Sequence, residues 1–232
     1  EDKIIYLDTL KNIRHGGVAD KVKPLLYGQM EESSEMKTAA VWVAGWDAAV
    51  KYGIDYFFPI FANQKENHET RISALAMIFY SNPSTTDMAR ILAILKTETN
   101  YEIINFAYSI FEQFANTINP CNEEVGKRAK YFLKFMKQYS QYETDWGFGV
   151  SKTYVREYQQ KKYGYGGAYG YYVVGSDKST TPVSLGMSIS NTFFQSYQSN
   201  ALNIHLRIEG MAKGLIRKFK SMDPGTWKTN IL

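Results

Sequence analysis

An irregular α-helical solenoid followed by an antiparallel β-sheet, an α+β fold, is what this sequence of 232 residues predicts, and three observations carry the prediction. Apolar residues recur at helical spacing up to about residue 145, whereas beyond it the chain alternates and is rich in Gly, Tyr and Ser. Two late stretches alternate without a break: Val183, Leu185, Met187 and Ile189 against Ser184, Gly186, Ser188 and Ser190, then Leu202, Ile204, Leu206 and Ile208 against Asn203, His205, Arg207 and Glu209. Strands follow one another there with short connections and no intervening helix, which makes their pairing antiparallel.

Taken in order, Ala39, Trp42, Val43, Trp46, Ala49 and Val50 fall at steps of three and four and predict a helix from about 35 to 52. Val41, Ala44 and Ala48 fill much of its remaining circumference, so it should be covered on two sides. Ile72, Leu75, Ala76 and Phe79 give the next stripe, and Met88, Ile91, Leu92 and Leu95 another. Ile103, Ala107, Ile110, Phe111, Phe114 and Ile118 follow, then Val125, Ala129, Phe132, Leu133 and Met136. Ser81-Asn82-Pro83, Glu98-Thr99-Asn100 and Asn119-Pro120-Cys121-Asn122 punctuate the series. Ser84 with Asp87 has the form of a capping box, and Asn122 that of an N-cap. Short turns between helices of this length favour antiparallel neighbours, and the spacing from Pro83 to Pro120 is close to the roughly 40 residues of a two-helix HEAT-type unit. Strands are expected at about 148–158, 169–175, 183–191 and 200–210, with a fifth around 214–219.

Burying one Leu, Ile, Val or Met side chain is worth roughly 1.5–3 kcal/mol, so the aliphatic faces of the last two strands must be covered by something apolar. Either the helices cover them or lipid does, and one apolar sheet face reads the same in both cases. If those faces open away from the helices, the isolated chain should associate or require another surface.

Composition excludes several classes. With 44% hydrophobic and 22% charged residues the chain is globular in texture, and it contains no run of some 18 apolar residues that would cross a bilayer as a helix. A net charge of +4 spread over this length gives no strong field for nucleic acid. Lys127, Arg128, Lys130, Lys134 and Lys137 read as a solvated helix side. The single cysteine, Cys121, rules out an internal disulfide and a multi-cysteine zinc site. Because the chain starts inside a helical pattern, without an initiator methionine or targeting signal, a fragment of a longer protein is expected.

Candidate chemistry is sparse. The tract Tyr163-Gly164-Tyr165-Gly166-Gly167-Ala168-Tyr169-Gly170 has tyrosine where a dinucleotide fingerprint needs its third glycine, so a hairpin with interfacial tyrosines is the better reading. His15, His68 and His205 share no ligand spacing with one another or with Cys121, so no metal site, cofactor or catalytic residue is expected. Glu66 and Glu69, and Glu123 and Glu124, sit at helix starts, where the helix dipole explains them. Arg71, beside the stripe that begins at Ile72, is expected to lie along an inner groove and bond to the preceding helices.

The order of features resembles a known family. A helical array carrying Glu69-Thr70-Arg71-Ile72-Ser73-Ala74-Leu75, then Asn82-Pro83, then a helix around Thr97-Glu98-Thr99-Asn100-Tyr101-Glu102-Ile103, is similar to the large lipid transfer proteins: vitellogenins, apolipophorins, apolipoprotein B and the microsomal triglyceride transfer protein. Asn119-Pro120, Tyr131-Phe132-Leu133-Lys134, Val150-Ser151-Lys152, Thr180-Thr181-Pro182 and Glu209-Gly210-Met211 continue the likeness over nearly the whole chain. The lysine- and tyrosine-rich style resembles arthropod apolipophorin- or vitellogenin-like proteins, a group that includes large mite allergens.

This resemblance implies a two-layered helical arch over residues 1–143 and the start of a lipid-cavity sheet over 144–232. It also implies a secreted, non-enzymatic carrier of phospholipid and neutral lipid, bound to the remainder of its parent lipoprotein and recognised by a lipoprotein receptor. Val183, Leu185, Met187, Ile189, Leu202, Ile204, Leu206 and Ile208 are then the lipid-facing residues. The rival expectation is a protein-interaction scaffold whose helical concave surface grips a partner, with the strands as a structural end piece.

Overall fold

A computed structural model describes residues 2–13, 16–28, 33–136, 151–160, 162, 164–176, 182–193 and 197–208. Its helices are α1 (Asp2–Ile13), α2 (Val18–Leu26), α3 (Ser34–Lys51), α4 (Phe58–Ala62), α5 (His68–Tyr80), α6 (Thr85–Leu95), α7 (Tyr101–Ala115) and α8 (Glu123–Met136), with 3₁₀ turns at Gly53–Tyr56 and Pro120–Asn122. The strands β1 (Lys152–Gln160), β2 (Tyr165–Val174), β3 (Ser184–Phe193) and β4 (Tyr197–Arg207) form one antiparallel meander in the order β1-β2-β3-β4. Helices followed by an antiparallel sheet give the expected α+β class. The expected boundary at 143 and the fifth strand at 214–219 lie outside the described residues.

Short polar side chains set the helix starts. Ser33, Asn67, Ser84 and Asn100 each accept a backbone N–H from the first turn of α3, α5, α6 and α7, satisfying donors that have no partner inside the helix. At α6 the capping box is complete, because Asp87 also accepts from the Ser84 backbone at 3.0 Å. At the turn before α8, Asn119 accepts from Cys121 N at 3.0 Å and so caps the 3₁₀ turn, one turn earlier than the Asn122 cap that was expected.

The helices pack in two layers. α3 lies against α5, α5 against α7 and α7 against β1, while α2, α4 and α8 back the row from outside and α6 packs on α8. This explains why α5 is buried on nearly every side, from His68 to Phe79, so that the expected stripe through Ile72, Leu75, Ala76 and Phe79 is only part of its buried surface. The core runs along the row through Phe57, Phe61, Ile72, Leu75, Ile78, Phe79, Ile103 and Phe111. Phe79 meets Phe111 edge-on at 4.8 Å between ring centres and Phe114 at 5.2 Å.

Arg71 lies in the groove the sequence suggested. Its Nε donates to Phe61 O at 2.9 Å and its guanidinium bonds to the Glu98 carboxylate, with both side chains almost fully enclosed. Glu98 also accepts from the backbone N–H groups of Thr99 and Asn100, so the pair ties the end of α4 to the turn before α7.

Candidate functional site: a sheet with its apolar face turned outward

The sheet meets the helical row through its small and polar side. Thr153, Val155, Glu157 and Gln159 of β1 share that side with Gly166, Ala168, Gly170, Tyr172 and Val174 of β2, and with Ser184, Gly186, Ser188 and Ser190 of β3. Hydrogen bonds close the joint. Thr153 N donates to Ser109 Oγ at 2.9 Å and Thr153 Oγ1 to Gln113 at 2.9 Å, while Glu157 accepts from Thr117 Oγ1 at 2.8 Å and Asn119 N at 3.0 Å.

At the corner where the sheet begins, buried Glu102 accepts Ser151 N at 2.7 Å, Ser151 Oγ accepts Gly175 N at 2.7 Å, and His68 Nε2 donates to Gly175 O at 2.8 Å. Both Glu102 and His68 stand at helix starts, so the row presents its helix ends to the strands. A methyl group on Gly175 would come within 2.3 Å of the Glu102 carboxylate, which is why that position carries no side chain.

A second contact is aromatic. Trp42 of α3 stacks on Tyr172 at 5.4 Å between ring centres, and His205 of β4 approaches the same tyrosine at 6.1 Å. Tyr172 has room because residue 186 is glycine: a Cβ there would lie 2.0 Å from the ring. Gly186→Ala should therefore displace Tyr172 from Trp42 and cost about 1–3 kcal/mol by overpacking. Urea unfolding measures that loss, and an unchanged midpoint would show that the ring is not held there.

The opposite side of the sheet faces away from the helices and is aliphatic along Leu185 to Ile189 of β3 and Leu202 to Leu206 of β4. The register sets Tyr154, Tyr171, Met187 and Ile204 in one cross-strand row. Arg156, Tyr169, Ile189 and Leu202 form a second, and Lys152, Val173, Leu185 and Leu206 a third. Met187 is 44% exposed, Ile204 49% and Leu206 52%, with Ile189 and Leu202 close behind. Leu185 and Ile208 are half-buried. Val183 is 7% exposed and continues the sheet by one pair, donating its N–H to Val174 O and accepting Ile208 N, both at 2.8 Å.

Tyr154, Tyr158, Tyr169 and Tyr171 share this face and are exposed, and sequence reasoning missed all but Tyr169. Their signal was present as a period of two in Tyr154-Arg156-Tyr158 and Tyr169-Tyr171. The other candidates are scattered: Cys121 is exposed in its turn, and His68 and His205 serve the joint. His15 lies outside the described residues. Of the basic residues on α8, Lys127 pairs with Glu123 and Glu124, and Arg128 bonds to Asn82. Lys137 lies outside the described residues. Among the described residues no helix is long and apolar enough to cross a membrane, and no cluster of His, Cys, Asp and Glu has the makings of a metal site.

A two-layered helical row joined to an antiparallel sheet places the chain in a class of α+β scaffold that a solved structure shares. The chain superposes on a structure titled "Lipid-protein interactions in lipovitellin" with a TM-score of 0.78 and 20% identity, over 91% of this chain and 22% of that one. A family model described as the vitellogenin TPR domain matches residues 1–112. Vitellogenin-4 of Caenorhabditis elegans is 23% identical over 117 residues, 45% of this chain and 7% of the relative. Vitellogenin-6 of the same organism is 28% identical over 104 residues, 44% of this chain and 6% of the relative. The helical part of the chain is thus similar to the vitellogenin TPR domain, and helices and sheet together share the fold of the lipovitellin structure. The chain spans less than a tenth of the length of these relatives.

Proposed function

We propose that this chain is part of a lipid transport or storage protein, that its sheet forms one wall of an apolar lipid compartment, and that the helical row braces the wall from outside. One observation carries the reading: the strands turn their small and polar side chains toward the helices and their aliphatic side chains away from them. Exposing five large aliphatic side chains on two adjacent strands costs free energy that a soluble sheet avoids unless another apolar phase covers it.

Met187, Ile189, Leu202, Ile204 and Leu206 are the central contacts for acyl chains in this reading, with Leu185, Ile208 and Val183 at the margin nearer the helices. The helical part, residues 1–143, and the sheet part, 144–232, act as brace and wall. Such a carrier needs no catalytic group and works as a secreted lipoprotein, together with the rest of its parent chain. Phospholipid and neutral lipid are its cargo, and a lipoprotein receptor is its expected partner outside the particle. Vitellogenin relatives and the lipovitellin fold support this reading.

The test is extraction of the full-length protein followed by mass analysis of the extract. Wild type should carry phospholipid or neutral lipid, and Ile204→Asn with Leu206→Asn should reduce the load at least severalfold while leaving far-UV circular dichroism unchanged. Equal lipid content in both proteins would overturn the assignment of the wall.

A further inference from the structure

Helix α8 has two unlike sides. Val125, Ala129, Phe132 and Met136 are buried against the neighbouring helices, α7 above all. Gly126 lets the backbones close up, since a Cβ there would lie 2.8 Å from Phe114 O. On the outer side the first turns are balanced, because Lys127 Nζ lies 2.9 Å from the carboxylates of both Glu123 and Glu124. The last turns are not balanced. Lys130 and Lys134 are exposed, and among the described residues neither has a carboxylate partner. Beside them Tyr131 is 56% and Phe135 50% exposed, and their rings meet edge-on at 5.4 Å between centres. Buried Phe132 touches both rings, at 5.3 Å and 6.4 Å. Residues four apart stand one above the other on a helix, about 6 Å apart along its axis. Lys130 with Lys134, and Tyr131 with Phe135, therefore make two parallel stripes, one cationic and one aromatic. The helix dipole accounts for lysines in a last turn, but it gives no reason for the aromatic stripe. Two half-exposed rings, held in place by a buried third, form a ready-made contact surface.

We propose that this double stripe docks an acidic amphipathic helix of a partner protein, with its carboxylates on Lys130 and Lys134 and its aliphatic side chains on Tyr131 and Phe135. Charge complementarity selects the acid: two uncompensated lysines four residues apart repel each other and attract carboxylates. The stripes select a helix. The outer layer already packs helix on helix where α6 meets α8, and a ridge of side chains four apart fits the groove of another helix. A helix lying in a membrane surface turns its main apolar face into the lipid, whereas α8 has that face committed to the row and offers only the two rings.

The experiment adds the full chain to a fluorescently labelled probe helix of about four turns, with Glu and Leu in adjacent stripes, and follows anisotropy. The same peptide with Gln in place of Glu is the neutral control, and one with Lys in place of Glu is the reversed control. The Glu/Leu probe should bind about tenfold tighter than the Gln/Leu probe at low salt. Lys130→Glu with Lys134→Glu should remove that preference and transfer it to the Lys/Leu probe. Tyr131→Ala with Phe135→Ala should weaken the Glu/Leu and Gln/Leu probes alike, by about tenfold or more, with far-UV circular dichroism unchanged. Failure of the Glu/Leu probe to bind, or binding indifferent to the charge reversal, would overturn the docking site. Vesicles of phosphatidylglycerol are the rival probe. If the chain binds them through Lys130 and Lys134 while the Glu/Leu probe does not bind, the stripes face a membrane and the partner helix is wrong.

Discussion

Replacing Arg71 by methionine should destabilise the protein by about 3–5 kcal/mol, because it leaves the Glu98 carboxylate buried without its counter-charge. The guanidinium also holds the Phe61 carbonyl, so the substitution frees the end of α4 as well as the turn before α7. Replacing both partners by apolar groups, Arg71→Met with Glu98→Leu, should restore much of the loss, since a buried pair repays little more than its own desolvation. Urea midpoints for the three proteins separate these cases, and a single variant as stable as wild type would show that the pair is dispensable.

The pair also fixes an acid response. Burial works to raise the Glu98 carboxyl, but the hydrogen bond from Arg71 and those from the Asn100 and Thr99 backbone outweigh it and hold the group below its ordinary value of 4.5. A carboxyl depressed in the folded state lends stability that is full above that ordinary value and disappears as pH falls through the lower folded one. Wild type should therefore lose stability below about pH 4.5, and the doubly apolar variant should lose less over the same window.

Phe111→Ala should cost about 3–5 kcal/mol. The ring is fully buried and meets Phe79 edge-on, so its removal opens a cavity between α5 and α7, the helix that packs on β1. Phe111→Leu keeps most of the volume and should cost about 1.5 kcal/mol or less. The same unfolding measurement reads both, and an alanine variant losing under about 1 kcal/mol would mean the site collapses without a void. Because α7 carries Ser109 and Gln113, which bond to Thr153, the alanine variant should also loosen β1.

Much of this architecture was legible before any coordinates. The stripes of α6, α7 and α8 fall where the apolar spacing puts them, because each keeps one polar, less buried side, whereas α3 is enclosed almost all round and Val50, a member of its expected stripe, is 74% exposed. α4 was not legible: Phe57-Phe58-Pro59-Ile60-Phe61 is apolar throughout and interrupted by proline, and a short enclosed helix leaves no period to detect. β2 begins at Tyr165, four residues before the expected start, because Gly164 to Gly167 read as a turn, whereas Gly166, like Gly170, lies on the side that must be small where the sheet meets the helices. Arg71 announced itself by standing beside an apolar stripe, yet its partner Glu98 comes from a turn far along the chain and no local pattern links them.

The candidate wall divides in the same way. Its aliphatic half on β3 and β4 is written as an alternation that periodicity finds. Its tyrosine half is hidden among glycines and charges, and only the register aligns Tyr171 with Met187 and Tyr169 with Ile189. Which side the helices take is a fact of tertiary packing, since an alternating strand satisfies either choice equally.

Serine, threonine and glutamate close much of the seam between helices and strands, and that chemistry sets how the two layers yield. Water can replace such bonds as they part, and their parting uncovers little oil, so the heat-capacity change of loosening is small. The joint between the two layers is thereby a compliant suture, which yields before the phenylalanine-packed helices behind it do.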